Sequence, residues 1–162
     1  MSQRAKEVEP GHPALVLEAV GLVRDGRPIL TGIDWQVHND ERWAVLGANG
    51  SGKTTLLRIA SLWLHPSTGV VTVLGETLGR TDVRTLRTRI GLSSQAFADL
   101  LRIDLRVIDA VVTAKHAALE PWWHTYTDLD REHALAALDR VGVAALSEST
   151  FGSLSSGERQ RV

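Results

Sequence analysis

GANGSGKT, residues 47–54, follows directly on the apolar run Trp43–Leu46 and leads directly into the apolar-periodic segment Leu56–Leu64. The pattern G-x-x-x-x-G-K-[ST] thus lies between an expected strand and an expected helix, which is where a phosphate-binding loop has to be. Glycines at 47, 50 and 52 let backbone N–H groups converge on an anion, and the helix that follows points its positive end at it. The candidate binding residues are Gly47, Ala48, Asn49, Gly50, Ser51, Gly52, Lys53, Thr54 and Thr55. Lys53 can reach terminal phosphates, and the Thr54 hydroxyl can hold magnesium.

Upstream, the chain alternates. Leu15, Leu17 and Ala19 face one way and Val16, Glu18 and Val20 the other, ahead of Asp25-Gly26, a two-residue hairpin signal, and Ile29 and Leu30. Ile33, Trp35 and Val37 alternate again until Asn39-Asp40 turns the chain into Arg42–Leu46, the strand expected to feed the loop. Downstream of the helix predicted over 53–64, His65–Gly69 is a breaker and Val70–Leu74 reads as a buried strand. Thr81 is positioned to cap a short helix running to about Arg89, and Ile90–Ser94 reads as another strand.

Past Gln95 the spacing becomes helical, over 104–119 and 128–141. The second helix is expected to place Leu135, Leu138 and Val141 on one face and to stop at Gly142. Between them, Pro121-Trp122-Trp123-His124 reads as a packed corner or an exposed partner surface, not as chemistry. In the final stretch, LSSGERQRV over 154–162, Ser155 stands three residues before Glu158, the spacing of a capping box.

Composition narrows the classes. With 162 residues, 43% hydrophobic, the chain can build a sizeable core, and its formal net charge of −1 offers no general attraction to nucleic acid, which is not an expected partner. The absence of cysteine excludes disulfides and thiolate metal sites. Residues 1–13, with Pro10, Gly11 and Pro13, lack the apolar centre of a signal peptide and are expected to form a disordered tail.

Read with the loop at 47–54, the final stretch resembles the signature sequence of the ATP-binding cassette family, usually LSGGQ followed by basic residues. Leu154, Ser155, Gly157 and the basic Arg159 and Arg161 match, while Ser156 and Glu158 depart from that form. The resemblance implies an α/β fold, a P-loop NTPase with a mixed sheet, an antiparallel N-terminal β part and a helical subdomain. Residues 14–98 would form the N-terminal part of the ATP-binding core, 99–153 the helical subdomain, and 154–162 the signature and the start of its helix. It further implies ATP and Mg2+ as cofactors, with Lys53 and Gln95 in catalytic roles and Thr54 and Gln95 on the metal. Ser155 and Gly157 would complete the site of a second cassette, head to tail. A transmembrane permease subunit would be the other partner, with the protein peripheral on the cytoplasmic face of the cell membrane. Where the family has an adenine-stacking aromatic, this chain has Leu22–Arg27, with Arg24 as the substitute.

In that family the pattern continues to an apolar strand ending in Asp-Glu and later to a histidine. Val107-Ile108-Asp109 is the nearest counterpart here, and its helical setting makes Asp109 a helix-surface residue without a magnesium role. The expectation is therefore an N-terminal portion of a transport ATPase, inactive by itself because it lacks the groups that hold magnesium from the far side and orient water. Two other readings belong beside it: a soluble cassette ATPase of the translation or repair kind, and a non-catalytic nucleotide-sensing module.

Overall fold

The computed structural model describes residues 13–94, 98 and 100–162, in two compact units, 1–86 and 87–162. Of the tail expected over residues 1–13, only Pro13 is among the described residues, and it opens a strand.

The first unit is built on an antiparallel sheet. Strands β1 (Pro13–Arg24) and β2 (Arg27–His38) form a hairpin, β3 (Thr68–Val73) pairs with the other edge of β1, and β4 (Glu76–Thr77) follows, in the order β2-β1-β3-β4. The turn is the one Asp25-Gly26 signals: φ is 52° and 73° at the two residues, and Arg24 pairs with Arg27 across it. Positive φ at both central residues gives the type I′ twist that matches the strands.

The alternation expected along β1 changes phase partway. Leu15 and Leu17 are buried, then Ala19 adopts φ 48° and Val20 and Leu22 take over the buried face. The register slips there, as one extra residue in a strand requires, and the Ala19 N–H is recovered by Asp34 Oδ1 at 2.7 Å. Strand β3 is half-buried, not buried on both faces: Val71 and Val73 are in the core, while Val70 is exposed.

Helix α1 (Lys53–Ala60) packs Ile59 into this core and stops sooner than the expected residue 64. Its end is a local event: the Ser61 hydroxyl donates to Leu57 O at 2.6 Å, and Leu62 turns left-handed at φ 63°. Such a hydroxyl competes with the helical ladder. Helix α2 (Val83–Arg87) is capped by Asp82, not Thr81; Asp82 accepts from the Arg84 N–H and the Thr85 hydroxyl, both at 3.0 Å.

Two expected strands are absent. Residues 42–46 and 90–94 form no strand, and Trp43 and Leu46 are 57% and 89% exposed. An apolar run of this kind becomes a strand when neighbours hydrogen-bond to it on both sides and cover both faces. Among the described residues the sheet supplies none beside either run.

The second unit is helical: α3 (Val107–Val112) continuing into a 3-10 turn (Thr113–His116), α4 (Asp128–Arg140), 3-10 turns over Ala144–Leu146 and Phe151–Ser153, and α5 (Ser156–Arg161). Val107, Ile108, Val112, Ala134, Leu138, Val143, Phe151 and Leu154 make one core. Two extended threads tie it together, with Phe151 N–H on Leu105 O at 2.8 Å and Val107 N–H on Ser149 O at 2.9 Å. Helix α4 begins with a capping box between Thr127 and Asp130 and is followed by Gly142 at φ 71° as expected. Its buried face, however, is Ala134 and Leu138; Leu135 and Val141 are exposed. Among the described residues no helix is long and apolar enough to cross a membrane.

Candidate functional site

The loop at 47–54 is held by short-range contacts and one contact with the hairpin. Ser51 N–H reaches Ala48 O at 3.2 Å, closing a turn, and Gly50 and Gly52 sit at φ 83° and 87°. Glycine at 52 is required twice over. An L side chain resists that φ, and a Cβ there would lie 2.8 Å from Leu30 Cδ2 and 3.1 Å from Ile29 O. The start of β2 is therefore the wall against which the loop is seated.

Gly52 is also the N-cap of α1, and it offers no side chain to the helix. The first-turn N–H groups of Lys53, Thr54 and Thr55 thus lack the capping oxygen that an Asp or Ser would supply. The Lys53 ammonium folds back and donates to Gly47 O at 2.8 Å and Ala48 O at 2.7 Å. These carbonyls hold a cation over the loop, within reach of the same space as the uncapped amides. Asn49, Gly50 and Ser51 are exposed, as is Thr54. Bare amides, one ammonium and an exposed hydroxyl form a donor set that fits a polyphosphate and its magnesium counter-ion.

In the second unit, Ser155 is the N-cap of α5. Its N–H and hydroxyl both donate to Glu158 Oε2 at 2.7 Å, and Glu158 N–H returns a long contact to Ser155 Oγ at 3.4 Å. The capping box read from the spacing is present. Those hydrogen bonds hold the Glu158 carboxyl below its ordinary range. No atom lies within 4 Å of a Cβ at Gly157, so the absence of a side chain there serves no packing need within the unit. Arg159, one of the basic residues that follow the signature, is folded inward: it donates to Gly152 O at 2.7 Å and lies over the Phe151 ring.

Asp109 is not a surface residue. Its side chain is 13% exposed and receives Arg106 at 2.8 Å and Arg131 at 3.1 Å, tying α3 to α4. Both its oxygens are engaged. Trp122 and Trp123 are exposed, at 62% and 82%, with the Arg102 guanidinium over the Trp122 ring at 4.8 Å. Gln95 lies outside the described residues. Arg24 stands exposed beside the hairpin turn. Sequence reasoning did not find the seat provided by Ile29 and Leu30, because a wall made of a backbone carbonyl and a leucine carries no motif.

Comparison with known proteins places these observations. The family model described as ABC transporter matches residues 30–162. An uncharacterized ABC transporter ATP-binding protein of Bacillus subtilis (strain 168) is 33% identical, covering 91% of this chain and 56% of its own length. Phosphonates import ATP-binding proteins of Bordetella parapertussis and Nocardia farcinica are 33% and 41% identical, covering 92% and 82% of this chain and 62% and 51% of their own lengths. The chain thus spans little more than half the length of the curated relatives it matches. A crystal structure of a nucleotide-free ATP-binding cassette from an ABC transporter superposes with a TM-score of 0.64 at 18% identity, over 93% of this chain and 64% of that one. A crystal structure of the ADP conformation of an ATP-binding cassette of an ABC transporter gives 0.63 at 18% identity, over 93% and 62%. The fold is accordingly that of a P-loop cassette ATPase, and the chain belongs to the ABC transporter ATP-binding family.

Proposed function

We propose that this chain carries the ATP-binding portion of a subunit that powers transport across a membrane. The observation that carries the reading is the Lys53 ammonium, held by the carbonyls of Gly47 and Ala48 above a helix start without a side-chain cap. Such a loop presents positive charge and unspent N–H donors to one small volume, which is what the tail of a triphosphate requires. The backbone from Gly47 to Thr55 would bind the phosphates and Lys53 would neutralise them. Thr54 and Gln95 would hold magnesium, whose contribution is to offset charge developing on the transferred phosphoryl group. Arg24 would lie against the base.

The signature would act on a second cassette. Ser155 and Gly157 open α5, and the Ser155 hydroxyl would have to leave Glu158 to meet a phosphate supplied from across a head-to-tail dimer. ATP would favour that closed pair because it contacts both halves, and hydrolysis would release it, driving a bound permease from the cytoplasmic face. The names of the relatives from Bordetella parapertussis and Nocardia farcinica favour import as the direction.

These 162 residues by themselves are expected to bind nucleotide with little or no turnover, because their sequence includes no apolar run ending in Asp-Glu to orient water. Isothermal calorimetry with ATP and magnesium tests binding, with Lys53→Ala beside the native chain. Each lost charge-assisted hydrogen bond is typically worth about 1.5–3 kcal/mol, so the variant should bind at least tenfold more weakly. No heat from folded native chain at millimolar ATP would overturn the binding proposal. A magnesium-dependent steady-state rate that vanishes in Lys53→Ala would overturn the expected inactivity.

A further inference from the structure

In the second unit the segment 117–123 is pinned at both ends by an aromatic cluster that the nucleotide chemistry does not use. At its start, the 3-10 turn Thr113–His116 gives way to Ala117 at φ 47°, a left-handed corner that costs an alanine energy to hold. At its far end the His124 ring lies over the His116 ring, with centroids 4.0 Å apart and planes 12° from parallel. Tyr126 closes the cluster, 5.5 Å from His116 and 6.4 Å from His124, and its buried hydroxyl has no hydrogen-bond partner. The segment so closed ends in the exposed Trp122 and Trp123, the first with Arg102 over its ring at 4.8 Å.

The charged groups around the stack are few. Lys115 stands on the same turn as His116, and Asp130 faces it from the first turn of α4. Asp130 is already committed: it takes both contacts of Lys115, at 2.7 and 2.8 Å, and caps α4 through Thr127. Tyr126 contributes a neutral ring and no acceptor contact. Two neutral imidazoles can lie face to face at 4.0 Å, and one proton can be shared with the ring opposite as a cation over an aromatic face. A second proton sets two like charges at that spacing beside a third cation, Lys115, and the Asp130 carboxylate is already in use.

We propose that His116 and His124 form a proton-operated clasp, stacked and closed when the rings are neutral and open when both are protonated, releasing the segment that displays Trp122 and Trp123. Burial first, then the His124 ring and Lys115, hold His116 below the ordinary imidazole range, against the pull of Asp130. The sign follows. A depressed pKa in the closed form means that closure binds fewer protons, so the clasp is fully closed above the ordinary imidazole pKa and is lost as the pH falls through the depressed one. The inference stands whether or not the loop at 47–54 binds nucleotide.

The test is an NMR titration of the imidazole resonances of the full chain, read alongside tryptophan emission. His133, exposed on α4 and outside the stack, is the control position for substitution. His116 should titrate below the ordinary imidazole range. Tryptophan emission should change over the same pH range, and that change should vanish in Trp122→Phe/Trp123→Phe. His124→Gln should raise the His116 midpoint and abolish the emission change, whereas His133→Gln should leave both intact. Far-UV circular dichroism establishes that the variants keep their helices. If His116 titrates in the ordinary imidazole range in the native chain, the clasp is refuted without recourse to any variant. An emission change that persists in His124→Gln refutes it as well.

Discussion

Replacing Gly52 by alanine tests the seat of the loop, and the structure sets the size of the effect. Holding an L residue at φ 87° costs roughly 1–2 kcal/mol. The new Cβ would also meet Leu30 Cδ2 at 2.8 Å and Ile29 O at 3.1 Å. Leu30 is 8% exposed and belongs to the core, and the second contact is backbone, so neither yields freely. Overpacking of that kind typically costs about 1–3 kcal/mol, giving ~2–5 kcal/mol in all. Gly50→Ala is the matched control, because Gly50 has nearly the same φ, 83°, with nothing within 4 Å of its Cβ. It should lose only the conformational part, about 1–2 kcal/mol. Urea unfolding followed by circular dichroism, with ATP titrations on the same samples, separates the two effects. Gly52→Ala should be the less stable and should bind ATP at least tenfold more weakly than Gly50→Ala. Equal losses in the two variants would mean that the loop does not rest on β2, and the account of the cradle would fail.

Other substitutions probe the second unit. Leu138→Ala removes a side chain 1% exposed in the core and should cost about 2–5 kcal/mol in urea unfolding, whereas Leu135→Ala, 41% exposed, should cost under ~1 kcal/mol; a reversed order would contradict the assignment of the buried face. Asp109→Ala breaks the tie between Arg106 and Arg131 and should destabilise by about 1–2 kcal/mol, since both arginines can turn to water, without altering the magnesium dependence of ATP binding measured by calorimetry. Ser155→Ala removes the cap of α5 and should cost about 0.5–2 kcal/mol locally, read as faster amide exchange over 156–159. Because the Glu158 carboxyl is held below its ordinary range, its support of that helix is present above the ordinary carboxylate pKa and is lost as the pH falls through the lowered one; exchange at 156–159 that does not change on acidification would contradict this.

What the sequence made legible is what residues decide within a few positions of one another. Asp25-Gly26 specifies its turn because both residues tolerate positive φ, and no distant partner is needed. Ser155 and Glu158 find each other across one helical turn, as do Thr127 and Asp130. The cradle is readable for the same reason, since Gly47, Ala48, Gly52 and Lys53 meet within six positions. Even here neighbours compete: Asp82 captures the cap of α2 from Thr81 because its carboxylate can accept from Arg84 and Thr85 together. On α4 the larger apolar residues were misleading, because the small side chain of Ala134 lies on the packed face with Leu138, while Leu135 faces water.

Trp43–Leu46 shows where local reading stops. A run of four apolar residues before a glycine-rich loop has the composition of a central strand, but strand identity is a property of a pair. The described sheet ends at β2 on one side and β4 on the other, and neither edge takes up this run. Trp43 settles for an edge-on contact with Trp35 at 5.9 Å and a hydrogen bond to Glu41 at 3.0 Å, and Leu46 stays 89% exposed. Yet the loop that follows keeps its turn, its left-handed glycines and its lysine contacts, because its seat is Ile29 and Leu30 of β2 and not the run before it. The loop is therefore one structural unit with β2 and α1, and its geometry does not wait on a strand over 42–46.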